Sequence, residues 1–258
     1  MDKYLSLDEI KSIELGILDY VAGICEKHHL RYYLAYGTLI GAIRHHGFIP
    51  WDDDIDIVMP RPDYEKLLDI CQSASPEKRY QMLNSRDEGY LYGFAKVVDR
   101  RTEIVDDTVE KIPGLGIWLD LFPYDGMTSK NSWNNRICYY LNKLRGAAIY
   151  KEFPQGKGAN YFVWKLCRLI GYRIFLKWYE RLCKVVPYDT SQYVGLISDR
   201  RDYHPRELFK ETIKVQFEGK EYDAPIGYDQ MLRNYYGDYM QLPPEEKRVS
   251  HHIKAVLI

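Results

Sequence analysis

The segment from Tyr36 to Pro60 constrains the fold more than any other part of the chain. It reads YGTLIGAIRHHGFIPWDDDIDIVMP, a Gly-Thr pair followed by four aspartates at positions 52, 53, 54 and 56. Side chains two residues apart on a β-strand lie on the same face of the sheet. Asp54 and Asp56 are therefore predicted to project side by side, while Ile55 points into a core.

Two carboxylates on one face repel each other unless a cation lies between them. Hard oxygen ligands of this kind suit Mg²⁺, and Mn²⁺ is the alternative metal. A solvated acidic loop would account for Asp52 and Asp53, but not for carboxylates that alternate with Ile and Val. We therefore expect Asp54 and Asp56 to be metal ligands.

A third carboxylate lies in the apolar segment IWLDLF, residues 117–122. This segment is predicted to be a strand, and Asp120 is surrounded in it by large apolar residues. A buried carboxylate without a partner is costly, and a cation facing it removes that cost. Asp120 is therefore expected to complete a metal-binding and catalytic triad with Asp54 and Asp56.

Phosphate contacts are predicted from the elements around this triad. A strand at 31–36, a turn at Gly37-Thr38 and a helix at 39–45 would direct backbone N–H groups toward a phosphate. Arg44 is either a phosphate contact or an exposed residue at a helix end, and both interpretations are open. Lys96, in a strand predicted over 90–98, is a further candidate because of its expected proximity to the acidic site.

Composition restricts the class of protein. The 258 residues carry a net charge of −1 and are 46% hydrophobic, which is enough for a core and gives no sign of nucleic-acid binding. Five dispersed cysteines favour reduced thiols over a disulfide framework. The N-terminus lacks a signal-peptide pattern and no apolar run is long enough to span a bilayer, so a cytoplasmic location is expected.

The segment 133–186 differs from the rest of the chain. It contains eleven Lys and Arg residues and two Glu, a local charge of +9, and it is rich in Tyr and Trp. A basic, aromatic helical hairpin of this kind would bind an anionic membrane surface or an anionic lipid-linked substrate. An ordinary solvated basic surface is equally consistent with the pattern.

Taken together, these segments resemble the LicD family, which includes the fukutin-related proteins, within the nucleotidyltransferase-fold superfamily. The resemblance spans most of the chain outside the basic segment, and the GT…PWDDDID element is its most specific part. The fukutin-related branch has a zinc-binding insertion, for which this chain lacks the cysteine spacing. The matching segments are 36–44, 48–56, 96–100, 118–126, 217–219, 224–229 and 236–240, the last followed by Leu-Pro-Pro.

The resemblance implies an α+β fold, a nucleotidyltransferase-like mixed sheet with flanking helices plus the basic, aromatic helical insertion. We expect a catalytic core at 1–130, the insertion at 131–188, and a C-terminal hairpin and helix at 189–258 that complete the core. The implied reaction transfers phosphocholine from CDP-choline, or from another CDP-alcohol, to a sugar hydroxyl. The acceptor would be a lipid-linked precursor of a teichoic acid or lipopolysaccharide.

In this reaction Asp54 and Asp56 would hold Mg²⁺ on the diphosphate, and Asp120 would be a shared ligand and the general base. Arg44 and Lys96 would balance the charge of the leaving nucleotide. Choline is a quaternary ammonium, for which an aromatic cage is the expected recognition device. The cage candidates are Trp51, Tyr92, Trp118 and Tyr124.

Three other functions use the same residues. A nucleotidyltransferase would move NMP from an NTP to a small molecule with the same carboxylates, because a fold does not fix the substrate. A DxD glycosyltransferase would use Asp54 and Asp56 for Mn²⁺ and a UDP-sugar, but the upstream Gly-Thr element argues against it. A binding protein without activity is opposed by the complete triad.

Overall fold

The computed structural model describes residues 4–72, 79–105, 111–150, 159–248 and 253–258. Seven helices and eleven strands alternate within them. The helices are α1 (Leu7–His28), α2 (Tyr36–His45), α3 (Arg61–Gln72), α4 (Trp133–Ile149), α5 (Ala159–Ile170), α6 (Tyr172–Cys183) and α7 (Tyr228–Tyr236). The strands are β1 (Tyr33–Leu34), β2 (Asp56–Pro60), β3 (Tyr80–Leu83), β4 (Ala95–Asp99), β5 (Thr102–Ile104), β6 (Trp118–Met127), β7 (Tyr193–Gly195), β8 (His204–Pro205), β9 (Thr212–Phe217), β10 (Lys220–Pro225) and β11 (Ala255–Leu257).

A mixed sheet forms the centre of the molecule, with strand order β1-β2-β6-β4-β3. Strands β2 and β6 run parallel, and the other pairs on this path are antiparallel. Strand β7 extends the sheet from the far end of β6, and β8 pairs with β7. The predicted α+β class is confirmed, while the nucleotidyltransferase-like arrangement and the three segment boundaries remain predictions.

One face of the sheet is covered by α1. This helix begins with the capping box predicted at Ser6 and Glu9, in which each side chain bonds the other residue's backbone N–H. Its apolar residues belong to the same core cluster as Ile55, Ile57 and Leu121, all of which are fully buried. The opposite face of the two parallel strands carries Asp56, Asp120 and Phe122.

The hairpin predicted around Glu218-Gly219 is confirmed as β9 and β10, paired in register from Phe217 and Lys220 outward. Glu218 and Gly219 both have positive φ angles, 50° and 77°. Positive φ at both central residues is what a two-residue hairpin turn of type I′ requires. All five cysteines are free thiols, as predicted. No helix among the described ranges is long and apolar enough to cross a membrane.

Two local predictions are wrong. The Gly37-Thr38 pair does not form a turn before a helix, because α2 already begins at Tyr36 and the backbone N–H of Leu39 bonds the carbonyl of Ala35. The strand predicted over 90–98 is confined to Ala95–Asp99. Residues 90–94 lie outside the sheet, and Gly93 packs against α6, where an added Cβ would lie 2.6 Å from the Tyr179 ring.

Candidate active site

Asp56 and Asp120 occupy paired positions on the parallel strands β2 and β6. Paired residues of neighbouring strands project from the same face of a sheet, so the two carboxylates lie side by side. Strand β2 starts at Asp56, and Asp54 lies two residues before it. Asp54 and Asp56 are half-buried, whereas Ile55 and Ile57 are fully buried on the opposite face.

Helix α2 fixes the position of the acidic segment. The buried hydroxyl of Thr38 accepts a hydrogen bond of 2.8 Å from the backbone N–H of Asp56. At Gly37 an added Cβ would lie 2.6 Å from Oδ2 of Asp52. Only glycine allows the Asp52 carboxylate to approach the start of the helix so closely, and the helix dipole favours a negative charge there. The predicted phosphate-contact role of Gly37 and Thr38 remains a prediction beside this observed positioning role.

Lys96 lies opposite Asp120 in the antiparallel pair of β4 and β6. Its ammonium group donates to Oδ1 of Asp120 at 2.5 Å, and the side chain is buried. The indole Nε1 of Trp118 donates to Oδ2 of the same carboxylate at 3.2 Å. Both oxygens of Asp120 are therefore engaged, and the side chain is held in one orientation.

Two of the predicted cage residues surround the lysine. The Lys96 ammonium is 4.1 Å from the Trp118 ring centroid and 5.4 Å from that of Tyr92. Phe94, which the sequence analysis did not single out, contributes a third ring at 5.4 Å. These distances are those of cation–π contacts. In this structure the aromatic group thus encloses the protein's own cation next to Asp120.

The rings continue as an aromatic wall, defined as Tyr92, Phe94, Phe122, Tyr36, Tyr235 and Tyr236. Consecutive centroids along this wall are 5.2, 4.4, 5.5, 5.5 and 4.6 Å apart. Phe122 shares its strand face with Asp120, two residues away. This period-two spacing in WLDLF was the signal that could have found Phe122, whereas the contact with α7 depends on tertiary structure.

Two acidic residues of this region, Asp56 and Glu14, have raised pKa values. Burial first, and then the negative charges of Asp54 and Asp120, raise the pKa of Asp56 well above its usual value. Glu14 of α1 belongs to the same electrostatic group, because burial and the charges of Asp54 and Asp53 raise its pKa strongly.

The sequence analysis missed Glu14. It lies on the buried face of α1 between Ile10 and Ile17, and its Oε2 atom is enclosed without a hydrogen-bond partner. A glutamate on the apolar face of an amphipathic helix is the signal that could have found it.

The carboxylates fit a divalent cation in chemistry, because their crowding is what a hard cation would relieve. Over the ranges that the structure describes, however, no three acidic, His or Cys side chains are grouped closely enough to hold a metal ion. Asp120 points toward Lys96 and Trp118. The donor types are present, and the ligand set is not assembled as in a finished metal site.

The other predicted site residues make contacts of their own. The Arg44 guanidinium donates to the carbonyl of Tyr239 at 2.6 Å, near the end of α2 that lies away from Thr38. The Trp51 ring is covered by the guanidinium of Arg248 at 5.3 Å.

Tyr124 is buried, and its hydroxyl donates to Asp202 at 2.8 Å. It is part of a buried network that sequence reasoning did not find. The Asp202 carboxylate also accepts from the hydroxyl of Tyr36 at 2.5 Å and lies 2.7 Å from Nε2 of His204. Tyr36 has a positive φ of 46°, a conformation that is rare for a residue with a side chain. Asp202 therefore holds Tyr36 in the strained position from which its ring contacts Phe122.

The fold and the site define a protein of the α+β class with a cluster of carboxylates opposite a buried lysine. The family model "LicD/FKTN/FKRP, nucleotidyltransferase domain" matches residues 29–145. The chain is 36% identical to the lipopolysaccharide cholinephosphotransferase LicD of Haemophilus influenzae, over 99% of both chains. The chain therefore belongs to the LicD family.

More distant relatives match a smaller part of the chain. The ribitol 5-phosphate transferases FKRP of Homo sapiens and Mus musculus are each 27% identical over 114 residues. That match covers 44% of this chain and 21% of each relative. The shared part is therefore a minor portion of those longer proteins.

Proposed function

We propose that this protein is a phosphocholine transferase that moves phosphocholine from CDP-choline to a sugar hydroxyl of a teichoic acid or lipopolysaccharide precursor and releases CMP. The similarity to a lipopolysaccharide cholinephosphotransferase over 99% of both chains carries this proposal. The paired carboxylates of Asp56 and Asp120 support it, because phosphoryl transfer needs groups that neutralise and position phosphate oxygens.

In the proposed reaction the acceptor hydroxyl oxygen attacks the phosphorus atom of the phosphocholine group. The bond between that phosphorus atom and the oxygen that bridges it to CMP breaks. The electron pair of that bond leaves with CMP. The proton of the hydroxyl passes to Asp120, which Lys96 and Trp118 hold in a fixed orientation. The Lys96 ammonium balances the charge that develops on the leaving phosphate.

We propose that Asp54 and Asp56 hold Mg²⁺, with Mn²⁺ as the alternative, and that Asp120 joins them when the donor binds. A bound metal ion would supply neutralisation of the diphosphate charge. The raised pKa of Asp56 supports this assignment, since after burial its main causes are the negative charges of the Asp54 and Asp120 carboxylates. Gly37, Thr38 and Arg44 stay in the proposal as contacts to the nucleotide phosphates.

For choline recognition we propose the aromatic wall rather than the four residues suggested by sequence. Tyr92 and Trp118 lie at the site, while Tyr124 is buried and Trp51 contacts Arg248. Phe122 and Tyr236 are the two rings of the aromatic wall that we add to Tyr92 and Trp118 for choline binding. Phe122 adjoins Asp120 on its strand, and burial first, and then the charges of Tyr235 and Asp56, raise the pKa of Tyr236.

The proposed partners follow from this reaction. They are CDP-choline or another CDP-alcohol, a lipid-linked glycan acceptor, and an anionic membrane surface. Nucleic acid is excluded from the proposal because the net charge of the chain is −1. The proposed location is cytoplasmic, at the inner face of the membrane where a lipid-linked acceptor would lie.

The proposal is tested by thermal unfolding with Mg²⁺ and, separately, CDP-choline, CDP-ribitol, CTP, ATP and UDP-sugars. A ligand at a hundred times its dissociation constant adds roughly 2.7 kcal/mol to the free energy of unfolding. We expect a shift with CDP-choline that EDTA removes and that Asp56→Asn lacks. A shift with CDP-ribitol alone would indicate a ribitol phosphate donor, in keeping with the ribitol 5-phosphate transferases among the relatives. A response only to CTP, ATP or a UDP-sugar would contradict the proposal.

A further inference from the structure

Helix α5 carries an apolar stripe that faces solvent. Its residues are spaced i, i+1, i+4, i+7 and i+8, which places them on one side of a helix. Leu169 is 85% exposed and Phe162 is 73% exposed, and the other three are between 38% and 55% exposed. The α5 stripe consists of Phe162, Val163, Leu166, Leu169 and Ile170.

This arrangement is the reverse of an ordinary surface helix. In a globular protein such a stripe packs on the core, because burying large apolar side chains stabilises the fold. In α5 the buried side chain is that of Cys167, which lies at the edge of the stripe next to Val163. A continuous exposed apolar surface of this kind marks an interaction site.

Helix α6 follows directly and presents a different exposed face. Ile174 and Trp178 are about half exposed and alternate with exposed cations at 173, 177 and 181. The guanidinium of Arg181 lies 5.5 Å from the Trp178 ring centroid. Trp beside Arg and Lys is the composition typical of segments at the boundary between lipid and water.

The charge of these two helices selects the partner. Residues 159–184 contain six Lys and Arg and one Glu, and that Glu180 accepts a hydrogen bond from Ser85. A second copy of the chain would bring like charges together, which is unfavourable. A bilayer with anionic lipids offers hydrocarbon for the apolar stripe and negative head groups for the cations.

We propose that α5 inserts its apolar stripe into an anionic membrane surface while the cations of α6 bind the lipid head groups. The biological role of this contact rests on the proposed function, because a lipid-linked acceptor would be held at the membrane surface that α5 binds. The membrane contact itself is a physical property that can be measured without any transfer reaction.

The helical region, defined as α4, α5 and α6, contacts the edge of the candidate site. Arg145 of α4 donates to the carbonyl of Leu91, and its guanidinium is 5.8 Å from the Tyr92 ring centroid. Gly93 packs against Tyr179 of α6. Helices α4 and α6 thus hold the segment that carries Tyr92 and Phe94 over Lys96, and a membrane bound by α5 would lie next to the same helical unit.

The test is flotation of the full-length protein with vesicles of phosphatidylcholine, alone or mixed with phosphatidylglycerol. We expect binding to the mixed vesicles that weakens as salt is raised. The double variant Leu166→Glu/Leu169→Glu should bind at least tenfold less, and so should Arg173→Glu/Lys177→Glu. The matched control is Leu242→Glu, which changes an exposed apolar residue outside the helical region and should bind like the wild type.

Absence of binding by the wild type, or equal binding by the α5 variant, would overturn the inference. So would a dimer in the absence of vesicles that the α5 variant abolishes, because the stripe would then be an interface between copies. Transfer to a water-soluble acceptor glycan separates the two proposals. A wild type that binds vesicles but transfers nothing refutes the proposed function alone, and transfer without any vesicle binding refutes the membrane contact alone.

Discussion

Lys96 and Asp120 form an ion pair of 2.5 Å across the antiparallel strands β4 and β6, with both side chains largely buried. Side chains on two sides enclose this ion pair. The Trp118 ring covers the ammonium and its indole N–H holds the second carboxylate oxygen. Asp56 lies next to Asp120 on the other side, on β2. The pair therefore joins the acidic and the aromatic parts of the candidate site.

Replacement of the lysine should damage both stability and activity. Lys96→Met keeps the apolar stem but leaves the Asp120 carboxylate buried without its cation, and breaking such a pair costs roughly 3–5 kcal/mol. We expect a lower unfolding midpoint in urea and a loss of kcat. Lys96→Arg should restore little, since a planar guanidinium does not fit the space of an ammonium enclosed by three rings.

A double-mutant cycle with Asp120→Asn separates the pair from its surroundings. If the ion pair itself stabilises the fold, the double variant will lose less stability than the two single variants lose together. The coupling free energy should then be about 1 kcal/mol or more. Additive losses would show that Lys96 acts through its contacts with the rings.

Asp56→Asn should lower turnover strongly without weakening the fold. The folded protein raises the pKa of Asp56 through burial and through the charges of Asp54 and Asp120. A carboxyl group with a raised folded pKa destabilises the protein at pH values above it, so a neutral side chain of the same shape should unfold at an equal or higher temperature. We expect activity to fall by roughly 10²–10³-fold, measured as CMP release. The control, Asp189→Asn, changes an exposed aspartate and should keep both properties.

The sequence predicted the parts of this site that depend on local pattern. Alternation placed Asp54 and Asp56 on one face, and the apolar context of Asp120 indicated a strand, which is β6 beside β2. The capping box of α1 and the turn at Glu218-Gly219 are equally local, because each is fixed by residues within three or four positions.

The remaining features depend on contacts between distant segments. Lys96 meets Asp120 only because β4 lies beside β6, an order that no spacing in the chain reveals. Asp202 reaches Tyr36 from 166 residues away. The start of α2 at Tyr36 also needed this contact, since a left-handed tyrosine is unfavourable without surroundings that hold it.

Thr38 should prove to be a positioning residue. Its hydroxyl accepts the hydrogen bond of the Asp56 N–H, and Thr38→Val would leave that donor without its partner at a cost of about 1–3 kcal/mol. Thr38→Ser retains the hydroxyl and should recover most of the stability and of kcat. If instead the valine variant loses only affinity for the nucleotide, with stability unchanged, Thr38 serves the phosphate and not the strand.

Glu65 should make part of the stability depend on acid. Burial alone would raise its pKa, but the hydrogen bond and charge of Lys184, together with the charge of Arg61, lower it. A carboxyl group with a lowered folded pKa stabilises the protein above its unfolded pKa of about 4.3, and this stabilisation is lost as the pH falls through the folded value. Glu65→Gln should therefore lose up to about 1 kcal/mol at neutral pH, because solvent screens its ion pairs with the partly exposed Lys184 and Arg86, and nothing in strong acid. Urea unfolding across this pH range measures the difference. The exposed Glu88→Gln is the control, and a Glu65→Gln deficit that persists unchanged in acid would assign the loss to packing instead of charge.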